Sequence, residues 1–206
     1  MKKSLLIVFL VVLADQILKV WVKLNMRLGE SINIIGDRIQ LYFIENEGMA
    51  FGMAFGGEWG KLLLTLIRIV AVVLLFVFVY KLTKGNKVKT GLIISLSLII
   101  AGAMGNIFDS VFYGVLFSES TPFHPATFLP DGGGYASLLH GKVVDMFYCP
   151  IIRGTYPQWF PFVGGDAFVF FRPIFNIADS AITVGCFWLL IGYRKFFPKT
   201  EDVPND

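Results

Sequence analysis

Charge is what this sequence has least of. Only 16% of its 206 residues are Asp, Glu, Lys or Arg, where a soluble domain carries about a quarter. Neither sign dominates: 18 basic and 15 acidic side chains leave a net charge of +3, scattered along the chain and too small to mark a nucleic-acid surface. Cysteine is nearly absent. Cys149 and Cys186 form no CxxC pattern, and Cys186 lies inside an apolar run, which speaks against a disulfide framework. Histidine is equally scarce. His124 and His140, taken with Asp131, match no common zinc spacing. Both histidines sit far along the chain from Ser180, so no Ser/His/Asp or Cys/His set emerges. Internal repeats and low-complexity tracts are missing as well.

Long apolar runs are what the chain has in abundance. It is 55% hydrophobic, with a mean hydropathy of +0.68. Runs long enough to cross a bilayer define an integral membrane protein. Four spans are expected, at about 4–24, 61–82, 90–112 and 173–193. The expectation is an all-α membrane protein, residues 1–206 forming one membrane domain, with Pro173 in the first turn of the last helix. Lys2-Lys3 followed by Leu5 to Leu13 and Ala14 has the outline of a cleaved signal peptide. Apolar character continues past Asp15 to Val22, however, which favours a retained first helix.

Basic residues set the orientation. Lys2 and Lys3 precede the first span, Lys81, Lys84, Lys87 and Lys89 crowd the link between the second and third, and Arg194, Lys195 and Lys199 follow the fourth. By the positive-inside rule these clusters, and both termini, are cytoplasmic. Segments 25–60 and 113–172 then face outward. The first contains a strand-like Ile39-Gln40-Leu41-Tyr42-Phe43-Ile44 and then glycines at 48, 52, 56 and 57, so a small extracytoplasmic β-rich subdomain is expected. The second carries Gly132-Gly133-Gly134 and several prolines, the marks of extended irregular loops. Its Tyr156, Trp159, Phe160, Phe162, Phe168, Phe170 and Phe171 suit the headgroup layer.

Against this apolar background the polar residues stand out, because an ionisable group in a span is costly and by default functional. Asp15 and Lys19 are four apart and share a helix face, where they form either a clamp to another helix or part of a catalytic site. Asn46 and Gly48 lie in Asn46-Glu47-Gly48-Met49-Ala50-Phe51-Gly52, which reads as a turn or as an amide that orients a substrate carbonyl. Ala101 and Gly105 make a small-residue face for close helix packing. Asn106 and Asp109 are spaced like Asn176 and Asp179. Two such faces at the outer ends of two spans describe either one shared polar pocket or a structural hydrogen-bond network. Asp145, in Val143-Val144-Asp145-Met146, is the remaining acid that could meet Asp179. Two carboxyls that meet suffice for acid/base chemistry on water.

Together these stretches resemble the lipoprotein signal peptidases, or signal peptidase II. The matching segments are Asp15-Gln16-x-x-Lys19, Asn46-x-Gly48-x-Ala50-Phe51, Gly102-Ala103-x-Gly105-Asn106-x-x-Asp109, Val143-Val144-Asp145-Met146 and Phe175-Asn176-x-Ala178-Asp179-Ser180-Ala181. They occur in the family's order and touch all four spans. The resemblance implies an aspartic endopeptidase of the bacterial inner membrane that needs no metal or cofactor. Its substrates would be prolipoproteins, cut just before a cysteine carrying S-diacylglyceryl. It implies catalytic roles for Asp145 and Asp179 and supporting roles for Asp15, Lys19, Asn46, Gly48, Asn106, Asp109, Asn176 and Ala178. It also implies contact with membrane lipid, no nucleic acid, and a monomer. Three departures are visible. Ser110 stands where the family has Arg, leaving Arg153 or Arg172 to supply that cation, and the segments 113–141 and 149–172 are long. Longer outer loops cost little entropy, so the core tolerates them, and they add a lid or a partner surface.

Two other classes use similar residues. A transporter places its charges at mid-span along a pore, often in paired inverted repeats, whereas here the polar residues gather toward one face. A structural assembly subunit would be indifferent to substitution of Asp145 and Asp179.

Overall fold

The computed structural model describes residues 1–48, 57–84, 88–170 and 173–196. The expected turn glycines at 52 and 56, the motif residues Ala50 and Phe51, Lys87, Phe171, Arg172 and Lys199 lie outside these residues.

Four helices are long and apolar enough to cross a membrane. They are α1 (Lys2–Asn25), α2 (Gly57–Lys84), α3 (Thr90–Phe108) with its continuation, and α5 (Ile177–Phe196). Their burial is inside out. On α1, Ser4, Asp15, Lys19 and Lys23 are buried while Leu6, Phe9, Leu10, Ile17 and Trp21 are exposed. α2 exposes Leu63, Ile67, Val70 and Leu74, and α5 exposes Phe187, Leu190 and Ile191. Apolar surface of this extent is stable only against lipid.

The basic ends of the helices meet, as the positive clusters anticipate. Thr83 Oγ1 lies 3.5 Å from Met1 Sδ, and Lys89 Nζ donates to the Lys195 carbonyl. At the opposite end a small antiparallel sheet forms from β1 (Ser31–Ile35), β2 (Ile39–Asn46), β3 (Val143–Tyr148) and β6 (Ile174–Phe175), in the order β1-β2-β3-β6. The molecule is therefore a helical membrane protein with a small β subdomain.

Four details differ from the sequence reading. Pro173 does not start a helix. It precedes β6, whose pairing of Phe175 with Phe147 carries the chain onto β3 before α5 begins at Ile177. The third span runs on past 112, through a π-helical turn (Asp109–Tyr113) and the short α4 (Gly114–Leu116). Asp145 lies on a strand, within an outer segment expected to be irregular loop. The outer segments are also more ordered than expected. Residues 113–141 supply Tyr113, Phe117 and Ala126 to a core shared with Val22, Met26, Phe43, Val144 and Met146. The 149–172 insertion forms a separate hairpin from β4 (Ile152–Thr155) and β5 (Ala167–Phe170), with Trp159 and Phe162 exposed.

Lys23 pins the first of these insertions. Its ammonium is fully buried, bonds Glu45 and Ser120 Oγ (2.9 Å to the hydroxyl), and sits over the Phe117 and Tyr135 rings. A buried lysine held by a carboxylate and two aromatic faces ties α1, β2 and the insertion into one unit.

Candidate active site

The site is built on the start of α5. Asn176 precedes the first helical residue and bonds reciprocally with Asp179. The Asp179 N–H donates to Asn176 Oδ1 (2.8 Å), and the Asn176 N–H donates to Asp179 Oδ2 (3.3 Å). This is a capping box written with Asn and Asp. The next free donor, the Ala178 N–H, goes to Asp15 Oδ1 on α1 (2.9 Å). Asn-x-Ala-Asp therefore caps a helix inside an apolar environment, where uncapped N–H groups are costly. The same pattern holds the Asp179 carboxylate at the positive end of the helix dipole.

β3 brings the second acid. Strand alternation points Val144 and Met146 into the core cluster and Asp145 to the other face. There Asp145 Oδ1 accepts from Asn176 Nδ2 (2.7 Å), and Oδ2 accepts from Asn46 Nδ2 (3.4 Å). Asn46 reaches it diagonally across the sheet, because Ile44 is the residue opposite Asp145. Asn176 thus bonds both acids. Asn106 completes the link, donating to Asp179 Oδ1 (2.8 Å) and accepting from Asn176 Nδ2 (3.1 Å). Burial, and next the charge of Asp179, push the Asp145 carboxyl from its ordinary 3.8 up to about 7. Asp179 is only half-buried, so it is the more accessible of the two.

Beneath the pair lies a closed ionic layer. Lys19 is fully buried and directs its three N–H donors to Asp109 Oδ2 (2.8 Å), Asn106 Oδ1 (2.9 Å) and Asp15 Oδ2 (3.0 Å). Asp109 also accepts from the Val144 N–H (3.2 Å) and from Gln16 Nε2 (2.9 Å). Lys19 and Asp15 thus bond α1 to the outer end of α3 and to the start of α5, where the paired Asn-x-x-Asp segments meet. Close packing of α3 on α5 allows it. A Cβ at Gly102 would fall 2.1 Å from the Ala178 carbonyl oxygen, and one at Gly105 would fall 2.7 Å from Asp15 Oδ2.

The ten residues singled out in the sequence converge here. Gly48 contributes backbone: its N–H donates to Asn46 Oδ1 (3.0 Å), which orients that amide toward Asp145. One alternative is not brought in. Arg153 donates to the Asp37 carbonyl (3.5 Å), on the surface and outside this network, because it lies on the β4–β5 hairpin. His140 Nδ1 contacts Ser137 and Leu138. Among the described residues no group of three or more His, Cys, Asp or Glu is arranged to hold a metal ion.

Three participants escaped the sequence reading. Gln16 bridges Asp15 and Asp109, and Tyr113 O–H donates to Gln16 Oε1 (3.1 Å). Arg68 on α2 donates to the Gly48 carbonyl. A signal for Arg68 was present: it is the single charged residue between Lys61 and Lys81. Nothing comparable flags Tyr113.

Helices of spanning length that close over a buried acid–amide cluster define a multi-pass membrane protein with a polar site at one end. Comparison with known proteins specifies the class. Residues 7–195 match the family model described as Signal peptidase (SPase) II. The chain is 47% identical over 189 residues to a lipoprotein signal peptidase of Porphyromonas gingivalis, covering 92% of this chain and 81% of that protein. It is 37% identical over 190 residues to one from Amoebophilus asiaticus, covering 91% and 76%. Two solved structures of bacterial membrane enzymes are similar in fold. One, at 2.3 Å, has a TM-score of 0.63 and 25% identity, covering all of this chain and 94% of that one. The other, at 1.9 Å, has a TM-score of 0.60 and 26% identity, covering 96% of each. The chain belongs to the signal peptidase II family. It is a bacterial multi-pass membrane protease that removes signal peptides from lipoproteins.

Proposed function

We propose that the protease is of the aspartic type, that Asp145 and Asp179 are its catalytic pair, and that it cuts just before a cysteine carrying diacylglyceryl. The observation that carries this reading is the single Asn176 side chain and backbone bonded to both carboxyl groups. It supports one polar pocket in which two acids act on the same water. Two neighbouring carboxyls do not both ionise cheaply, so the pair holds one proton near neutrality. In this reading Asp145, whose carboxyl burial pushes up to about 7, is the proton donor. Asp179, at the helix N-terminus and accepting two N–H bonds, takes the part of the base.

The reaction then proceeds in two steps. Asp179 takes a proton from water as the water oxygen bonds to the scissile carbonyl carbon, and Asp145 gives its proton to the carbonyl oxygen. The resulting gem-diol collapses. The proton on Asp179 passes to the amide nitrogen, the C–N bond breaks, and a diol proton returns to Asp145. The products are a carboxylic acid and an amine, and the pair ends as it began. Asp15, Lys19, Asn106 and Asp109 hold the layer beneath, and Asn46, Asn176, Ala178 and Gly48 hold the pair itself.

The positive-inside rule puts the basic helix ends in the cytoplasm and this site at the outer face. There the substrate's acyl chains stay in lipid while the scissile bond meets the acids. We take residues 1–206 to act as one membrane domain and as a monomer.

A pH profile tests the mechanism. The acid that donates its proton to the carbonyl is lost when Asp145 ionises, so kcat on a diacylglyceryl-modified precursor is expected to fall as pH rises through about 7. A rate that keeps rising through that range would count against Asp145 as the proton donor.

A further inference from the structure

A charge in the middle of an apolar span is expensive unless something answers it. The buried lysines of this protein are answered by carboxylates: Lys19 by Asp15 and Asp109, Lys23 by Glu45, Lys61 by Glu47. Arg68 differs. It lies on α2, half-buried, and among the described residues no carboxylate comes within ion-pair distance of it. What it has is a backbone carbonyl. Its Nη2 donates to Gly48 O.

Gly48 is shaped to receive it. The residue has φ +90°, and a Cβ there would sit 2.8 Å from Arg68 Nη1. The guanidinium therefore packs close against a backbone that glycine best provides at this φ. Gly48 in turn donates its N–H to Asn46 Oδ1, which leaves Nδ2 of that amide for Asp145.

We propose that Arg68 is a positioning residue for the peptidase reaction: it holds Gly48, and through it the Asn46 amide on Asp145. This rests on the reading of Asp145 and Asp179 as the reacting pair. The planar fork suits arginine to this site, since its N–H donors are fixed in direction when one of them grips the carbonyl. The other charged groups around the pair are Asp15 and Lys19 on α1, Asp109 on the π-helical turn, Glu47 after β2 and Lys61 on α2. Lys19 is already neutralised by two carboxylates, and Lys61 by Glu47, so of these three cations Arg68 is the one without an ion pair among the described residues.

The test uses the full-length protein in lipid and a diacylglyceryl-modified precursor peptide, with Asp145→Asn measured alongside. Arg68→Met is expected to lower kcat about a hundredfold, the scale of a small misplacement at a catalytic group, with KM changed much less. Arg68→Lys, which keeps a donor for the Gly48 carbonyl, recovers part of the rate. Gly48→Ala, which disturbs the grip without altering α2, lowers kcat at least about tenfold, again with KM changed much less. If Arg68→Met does not fold, Arg68→Lys and Gly48→Ala decide. Wild-type kcat in Arg68→Met or in Gly48→Ala overturns the proposal, as does a loss of efficiency that lies in KM with kcat unchanged. An active Asp145→Asn enzyme would instead remove the catalytic reading beneath it.

Discussion

Asparagine at position 145 or at position 179 is expected to reduce cleavage of a diacylglyceryl-modified precursor by at least about a thousandfold, the order of loss when one member of a coupled acid–base unit is removed. The amide occupies nearly the same volume, so both variants should still insert and fold. For Asp145 the two effects separate by pH. Its folded value of about 7 lies above the ordinary 3.8, so between those values the folded state binds more protons than the unfolded state. Stability from this group is therefore lost as pH rises through that window. Asp145→Asn should abolish activity and also flatten that part of the stability–pH curve, measured as Tm in a mild detergent. An Asn variant that retains near-normal turnover would remove the residue from the reaction.

Methionine in place of Lys19 should be worse for the fold than for the chemistry. The ammonium answers Asp15, Asp109 and Asn106 with no exposure to solvent. Removing one partner of a buried ion pair costs about 3–5 kcal/mol because it strands the other. Two acids are stranded here, in a protein whose total stability is of order 5–15 kcal/mol. Lys19→Met is therefore expected to accumulate poorly or to aggregate on extraction. Adding Asp109→Asn should restore part of the folded yield, since it removes one of the stranded charges, and a double-mutant cycle on Tm measures the coupling. Equal stability of Lys19→Met and the native protein would show that the ionic layer does not hold the helices together.

Much of this site was legible in the sequence because lipid makes polar residues conspicuous. Asp15, Lys19, Asn106, Asp109, Asn176 and Asp179 each interrupt an apolar run, and helical spacing already pairs them. Asp145 was identified by its motif, but its strand was not, since it fell in an outer segment read as irregular loop. A four-residue stretch of valine, aspartate and methionine carries no periodicity long enough to mark a strand. The strand matters, because alternation is what turns Asp145 away from Val144 and Met146 and toward Asp179. Pro173 misled for a related reason: proline suits both a first helical turn and the approach to a short strand. β6, two residues long, leaves almost no trace in composition.

The insertions were the least legible. Residues 113–141 look irregular because their order comes from tertiary contacts: Lys23 with Ser120, and Phe117 and Tyr135 over the buried ammonium. None of these contacts is local in sequence. Arg68 was missed for the opposite reason. Its signal was plain, a lone cation in the most apolar helix, but its partner is a backbone carbonyl on a turn, and no side-chain pattern announces a carbonyl.

In the proposed mechanism water is the attacking group. Cleavage of a diacylglyceryl-modified precursor in water enriched in heavy oxygen, with hydroxylamine present, examines this directly by mass spectrometry of the released signal peptide. Attack by water on the scissile carbonyl predicts a new C-terminal carboxylate carrying one heavy oxygen atom and no hydroxamate. A signal peptide ending in a hydroxamate would reveal an acyl-enzyme and would contradict catalysis by the Asp145–Asp179 pair.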